Sequence, residues 1–365
     1  MKSSYTQLTL SIMLIIVLLV PLAGISAQDG EPTDEGILLP SLFALTGFNF
    51  EHQQWNNCGP ATLTNALSYF GYASDQVRAA DWLKPHYEDK NVSPWQMAEF
   101  VNTQVPEIPV YALYRYGGTL DMLKTLLFNG FPVIIESGYD PVSAGQGWMG
   151  HYLLIYGYDD DRQVFLTYDS YDGPELAYSY QHIQENWQHF NYVYIVPYLF
   201  DNQARLFEVL GSNADEYENL INTLTIASSE ASLDTANPFA WFNIGSTLVM
   251  IADRLGEDSY YQQAVLAYDN ARNLGLPWRM LWYQFGMYEA YLAMGRYDDV
   301  IALANQKRDD GGGNYVEETF YYAGLAREAM GDTERAINNY TAVVNFNPNF
   351  HPAQERLNAL LANGG

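Results

Sequence analysis

The chain has very little cysteine: Cys58 is the only one in 365 residues. An internal disulfide is therefore excluded, and a lone thiol in an exported chain is better explained by reactivity than by architecture. Basic residues are also scarce, 17 Lys and Arg against 43 Asp and Glu, for a formal net charge of −26. That balance argues against nucleic acid and anionic membrane surfaces as partners. Charged residues make up only 16% and aromatics 15%, which excludes a disordered acidic chain. Metal motifs are missing too. His182 and His189 stand seven apart with no cysteine or convincing carboxylate companion, so a zinc site is not expected. Asp159-Asp160-Asp161 lacks the glycine and distal glutamate of a calcium loop and reads as a hairpin tip in water. Gly311-Gly312-Gly313 follows no strand and reads as an inter-repeat loop rather than a phosphate cradle. No metal or organic cofactor is implied.

What is present begins with an export signal. Lys2 is the only charge before residue 28, an apolar run covers Leu8–Leu22, and small residues lead to Ile25-Ser26-Ala27. Residues 1–27 read as a secretory signal peptide, which places the protein outside the cytoplasm, secreted or at the cell surface. Contact with the membrane is expected only if that segment stays uncut. The absence of a cysteine near the cleavage point excludes a lipid anchor.

The rest divides by pattern. Residues 28–44 read as an acidic leader or linker. Residues 45–200 mix helix and strand signals. Ala61, Leu63, Ala66, Leu67 and Phe70 make the stripe of a buried helix, with Pro60 in its first turn and Gly71 as its stop. Strands are expected at 131–136, 151–156, 164–168 and 191–196. After residue 200 the pattern is helical: 201–236 reads as a linker or capping pair, and 237–365 as repeats. Phe320, Ala323, Gly324, Gly331, Ala336, Tyr340, Val343 and Pro348 fall at the spacings of a tetratricopeptide unit. Gly295 and Val300 copy Gly331 and Ala336 at an offset of 36 residues. Trp241, Ile244, Gly245, Ala264, Tyr268, Ala271 and Pro277 form a third copy. Trp278, Trp282 and Tyr283 read as repeat core.

Chemistry concentrates at Cys58. A thiol near neutral pH needs activation, and the positive end of the helix starting near Gly59 favours thiolate. A histidine must accept the proton and return it to the leaving group, and a carboxylate or amide must orient that histidine. With a turn centred on Asp160, His151 faces Asp169 and Leu153 faces Thr167. Such direct partners lie about 4.5–5.5 Å apart at Cβ. Asp172 falls beyond the paired region and is the weaker choice.

These residues carry a resemblance. Asn57-Cys58-Gly59-Pro60-Ala61-Thr62-Leu63, Tyr69-Phe70-Gly71, His151-Tyr152-Leu153-Leu154, Gly157-Tyr158-Asp159-Asp160 and Asp169 resemble the stand-alone branch of the bacteriocin-processing cysteine peptidases, peptidase family 39 of the cysteine class. The resemblance implies an α+β papain-like domain with Cys58 as nucleophile, His151 as base and Asp169 as orienting carboxylate. It also implies a glutamine oxyanion donor shortly before the cysteine. Gln53 and Gln54 both qualify, with Gln54 slightly favoured. The family's best-known members are fused to an exporter and an ATPase and cut leader peptides. Neither segment is found in this chain, so leader processing is not carried over.

The expectation is a secreted cysteine peptidase, a papain-like domain followed by an all-α tetratricopeptide-like region. Its partners would be a peptide or protein substrate at the thiol and a protein at the repeats. Two alternatives stay open: a catalytically silent scaffold working through its repeats, and an amidase or transpeptidase acting on cell-wall peptides.

Overall fold

Runs such as Val133-Ile134-Ile135 and Tyr152-Leu153-Leu154-Ile155 are apolar at consecutive positions, which a strand tolerates only when both of its faces are covered. The computed structural model, which describes residues 39–140, 147–309 and 313–363, shows such a sheet. The signal segment lies outside the described residues, as do most of the leader, Gly311 and Gly312.

Among the described residues seven strands are formed: β1 (Leu42–Ala44), β2 (Val110–Arg115), β3 (Val133–Tyr139), β4 (Met149–Asp159), β5 (Val164–Asp169), β6 (Gly173–Ser179) and β7 (Tyr194–Leu199). Their order is β2-β7-β3-β4-β5-β6, with β1 added to β4, and every pairing is antiparallel. The 28–44 leader is thus corrected at its end: Leu42, Phe43 and Ala44 pair with Asp159, Tyr158 and Gly157.

Five helices belong to the sheet region: α1 (Cys58–Ser68), α2 (Gln76–Leu83), α3 (Pro94–Gln104), α4 (Leu120–Phe128) and α5 (Tyr180–Trp187). On one face, Leu63, Leu67, Met97 and Phe100 pack on Ile134, Tyr152, Leu154 and Ile195. On the other, Leu123, Leu126 and Leu127 pack on Val133, Ile135, Leu153 and Ile155. Every residue of α1 from Gly59 to Ser68 is buried. Gly71 ends that segment at φ +87°, its N–H bonded to the Ser68 carbonyl, as the sequence suggests.

The remaining helices are α6 (Gln203–Leu210), α7 (Glu216–Leu233), α8 (Pro238–Leu255), α9 (Asp258–Leu274), α10 (Gly286–Ala293), α11 (Tyr297–Asp309), α12 (Glu317–Ala329), α13 (Thr333–Phe346) and α14 (His351–Asn363). In the 201–236 segment, Leu206 and Leu210 of α6 enter the core of the sheet region, whereas Ala227 and Ala231 of α7 enter that of the helices. From α8 onward, successive helices pack on their neighbours. A Cβ on Gly245 would meet the Tyr268 ring at 2.8 Å, and one on Gly324 would meet the Tyr340 ring at 2.6 Å. The two glycines therefore serve the same close helix approach, and the two tyrosines fill the same layer. Residues 39–365 form one compact unit. No helix among the described residues is long and apolar enough to cross a membrane.

Candidate active site

Helix α1 brings Cys58 to the end of the sheet. Thr62, one turn on, bonds through Oγ1 to the Tyr152 carbonyl on β4 (3.2 Å) and to Ser170 Oγ beyond β5 (3.4 Å). Gly59 sits where a Cβ would meet Val92 at 3.2 Å and the Tyr152 ring at 3.5 Å, so the helix start rests directly on β4. Cys58 itself is half-buried.

His151 stands near the start of β4, buried, opposite Ser137 of β3. It does not face Asp169 directly, and the turn is not centred on Asp160. Asp159 pairs with Val164 at the tip, and Tyr156 is the extra residue of a β-bulge, after which Leu153 faces Asp169. Without the bulge, Asp169 would face Leu154 and point to the opposite side of the sheet. With it, Asp169 lies diagonally next to His151, and the His151 Nε2 to Asp169 Oδ1 distance is 2.8 Å. The second imidazole nitrogen is left for the thiol, which lies near enough for each group to shift the ionisation of the other.

Asp169 is fully buried and well satisfied. It accepts from the N–H groups of Tyr171 (2.8 Å) and Asp172 (3.1 Å) and from the Tyr178 hydroxyl (3.0 Å). Burial would raise its pKa, but the His151 charge and hydrogen bond and these N–H groups hold it at about 2. Burial would likewise discharge His151, yet the Asp169 carboxylate and the sulfur push it up to about 10. Burial raises the Cys58 thiol. The His151 hydrogen bond and charge, with the N–H groups of Tyr152 and Gly59, outweigh it and set the thiol below its usual value. The three shifts point the same way, each favouring the ionised form of its group.

The two glutamines separate. Gln54 is exposed, and its N–H bonds to Gln76 Oε1 (2.7 Å). Gln53 is half-buried, and its Oε1 accepts from Ser170 Oγ (3.0 Å). Ser170 directly follows Asp169, so Gln53 is the glutamine tied into the site, and the slight preference for Gln54 is reversed. An amide anchored through its oxygen keeps its NH2 group as a donor. Asp172 Oδ2 accepts from the Tyr139 hydroxyl (2.9 Å), and the Tyr139 ring lies over His151 at 4.9 Å.

Three residues at the site escape the sequence reading. Tyr139 and Tyr178 carry no motif; strand pairing alone places them at the pair, which they meet through a ring contact and a hydroxyl bond. Glu136 lies in the cleft with Cys58, and burial pushes its carboxyl well above the usual range. Its one signal is a charge ending an apolar strand run. Two other residues singled out in the sequence have partners of their own. Asp160, expected at a water-exposed tip, takes an ion pair from Lys124 (2.6 Å) and the Tyr180 hydroxyl (2.7 Å). His189 stacks on Phe239 at 3.8 Å. No group of three or more metal-binding side chains occurs among the described residues.

A thiol at a helix start, an imidazole on a strand and a buried carboxylate bonded to that imidazole are the parts that cysteine-type acyl transfer requires. Residues 46–195 match the model of the Peptidase_C39 like family. A C39-like peptidase structure from Bacillus anthracis aligns over 43% of this chain and 97% of its own, at 16% identity and a TM-score of 0.35. A MamA RS-1 ArsTM double mutant aligns over 45% of this chain and 85% of its own, at the same identity and score. No curated protein matches the chain.

Proposed function

We propose that this protein is an extracytoplasmic cysteine peptidase that cleaves peptide or amide bonds through Cys58, His151 and Asp169. The observation that carries the reading is the buried Asp169–His151 pair at 2.8 Å, with the Cys58 thiol near enough for it and the imidazole to shift each other's ionisation. The Cys58 thiolate attacks the carbonyl carbon, and the oxyanion is received by the Cys58 N–H and the Gln53 amide. His151 then protonates the leaving nitrogen, the C–N bond breaks, and a thioester remains. A water, deprotonated by His151, attacks the thioester and releases the acid and the thiolate. An amine in place of that water gives transfer instead of hydrolysis, so product analysis with added amines separates peptidase from transpeptidase. Asp169 touches no reacting atom and acts by fixing the tautomer and charge of His151.

The first 27 residues support export, and the paired helices from α8 onward support a tetratricopeptide-like surface for a protein partner. A second reading, a silent peptidase-like scaffold, draws on the narrowness of the space at the thiol. The deciding experiment incubates the purified protein and its Cys58→Ala variant with a peptide mixture. Cleavage that vanishes in the variant is expected; cleavage that persists sinks the assignment. Absence of any cleavage, with Cys58 no more reactive than free cysteine at pH 6, selects the scaffold.

A further inference from the structure

The helices that follow the sheet region reach back to the thiol. The link between α9 and α10 crosses the end of β4: Arg279 Nη1 bonds the Trp148 carbonyl (3.1 Å), and Gln284 Nε2 bonds the His189 carbonyl (2.9 Å). Between them, Tyr283 enters the cleft that holds Cys58. Its ring lies over Gly150, the residue before His151, where a Cβ would meet Tyr283 at 3.0 Å. Trp148 and Phe190 flank the ring at 6.0 and 5.9 Å, both edge-on. The facing wall of the cleft comes from Lys90 and Val92, in the connection between α2 and α3. That connection is also held by the helices: Asn91 Nδ2 bonds Glu318 Oε1 (3.3 Å), and the His86 ring stacks on Tyr315 at 5.4 Å. The room left beside the sulfur is a cavity of about 10 Å³, at the lower limit of what holds one water.

Resting on the peptidase reading above, we propose that Tyr283 is a specificity-determining wall of the Cys58 cleft: the helical region supplies it and thereby sets how large a group can reach the thiol. The helical region is then part of the pocket and not a module carried beside it. The argument needs no particular substrate. A ring fixed between two aromatics, in a segment anchored on both sides by side-chain bonds to carbonyls, does not swing away as a free surface tyrosine does. Any group approaching the sulfur from this side meets it first.

The test measures alkylation of Cys58 by a small reagent, iodoacetamide, and a bulky one, N-(1-pyrenyl)maleimide, in the full chain and in Tyr283→Phe, Tyr283→Leu and Tyr283→Ala. Relative to free cysteine, the wild type is expected to disfavour the bulky reagent by about 10-fold or more, the scale on which pockets discriminate by size. Tyr283→Phe keeps that ratio. Tyr283→Leu, which preserves apolar contact with Trp148 and Phe190, and Tyr283→Ala abolish most of it without a matching gain for iodoacetamide. The proposal is overturned if the wild type shows no size discrimination, if both reagents accelerate together, or if the ratio ignores residue 283. Wild-type reactivity toward iodoacetamide at pH 6 reports separately on the nucleophile. A slow thiol with intact, Tyr283-dependent size selection would remove the peptidase reading and leave the wall in place.

Discussion

Two clusters of ionisable groups in this molecule are built on opposite rules. Cys58, His151 and Asp169 alternate in charge, so each stabilises the ionised form of its neighbour: the imidazole rises to about 10 while the carboxyl falls to about 2. Asp89, Glu317 and Glu318 are three acids gathered between the α2–α3 connection and the start of α12, all buried. Burial pushes all three carboxyls up, reinforced at Asp89 and Glu318 by the charge of the neighbouring acids. The first cluster keeps its charges through desolvation and is fit for chemistry. The second suppresses its charges and is fit for joining surfaces. Burial alone therefore predicts neither; the sign of the neighbours decides.

The largest effects come from breaking the alternating cluster at its centre. Removing His151 leaves the sulfur without its counter-ion, and burial then favours the protonated thiol. His151→Ala should slow iodoacetamide capture at pH 6 by about 100-fold or more, within the range that general-base groups contribute. Cys58→Ala should abolish turnover outright. The next effect is on stability. Asp169→Ala leaves an imidazolium buried without its carboxylate and strands the Tyr178 hydroxyl and two N–H groups. Urea unfolding should show a loss of about 3–5 kcal/mol, the usual consequence of removing one partner of a buried pair. Asp169→Asn should restore much of that stability but not the thiol reactivity, because an amide holds the ring without holding its charge. Equal reactivity in Asp169→Asn and wild type would break the claim that charge, and not orientation alone, sets the state of the thiol.

The alternating cluster was readable from the sequence for a physical reason. A lone cysteine before an apolar helical stripe, and a histidine and an aspartate on strands joined by a short turn, are local signals. Even the wrong register preserved the answer. It misplaced His151 against Asp169 by two positions, and a two-residue slip keeps a side chain on its face, whereas a one-residue slip reverses it. The bulge at Tyr156 was invisible, although it is what puts Asp169 on the correct side. Strands β1, β2 and β6 escape the pattern because they lie at margins of the sheet: β1 has three residues, and β6 begins Gly173-Pro174 on an open edge, where proline costs no ladder bond. The like-charged cluster was not legible at all. Glu317 and Glu318 look like ordinary first-turn acids of a helix, and only the packing of α12 on the α2–α3 connection buries them. Tyr283 is hidden in the same way. Nothing near it in sequence announces that it ends beside a sulfur carried by α1.

The smallest expected effect tests the like-charged cluster through its pH dependence. Glu318 Oε1 accepts from Asn91, while Oε2 has no hydrogen-bond partner; Glu317 Oε1 accepts from Asn347 (2.8 Å). The groups facing the cluster include Lys84, which attracts Asp89, and His86, which attracts Glu317; neither cancels three acids. In the folded state the carboxyls hold protons that the unfolded chain releases near the ordinary carboxylate range. Their contribution is therefore complete below that range and is lost as pH rises through the higher folded values. Stability should fall from mildly acidic toward alkaline pH, the reverse of what Asp169 alone would give, since that group loses its contribution only as pH drops toward about 2. Glu318→Gln removes one acid and keeps an oxygen for Asn91. It should raise stability at pH 8 by about 1 kcal/mol and flatten the decline, because an unpaired buried charge is costly and a neutral amide of similar volume is not. Thermal melts of wild type and variant across pH 5–9 check this. A variant curve that runs parallel to wild type would mean that the three acids do not share their protons.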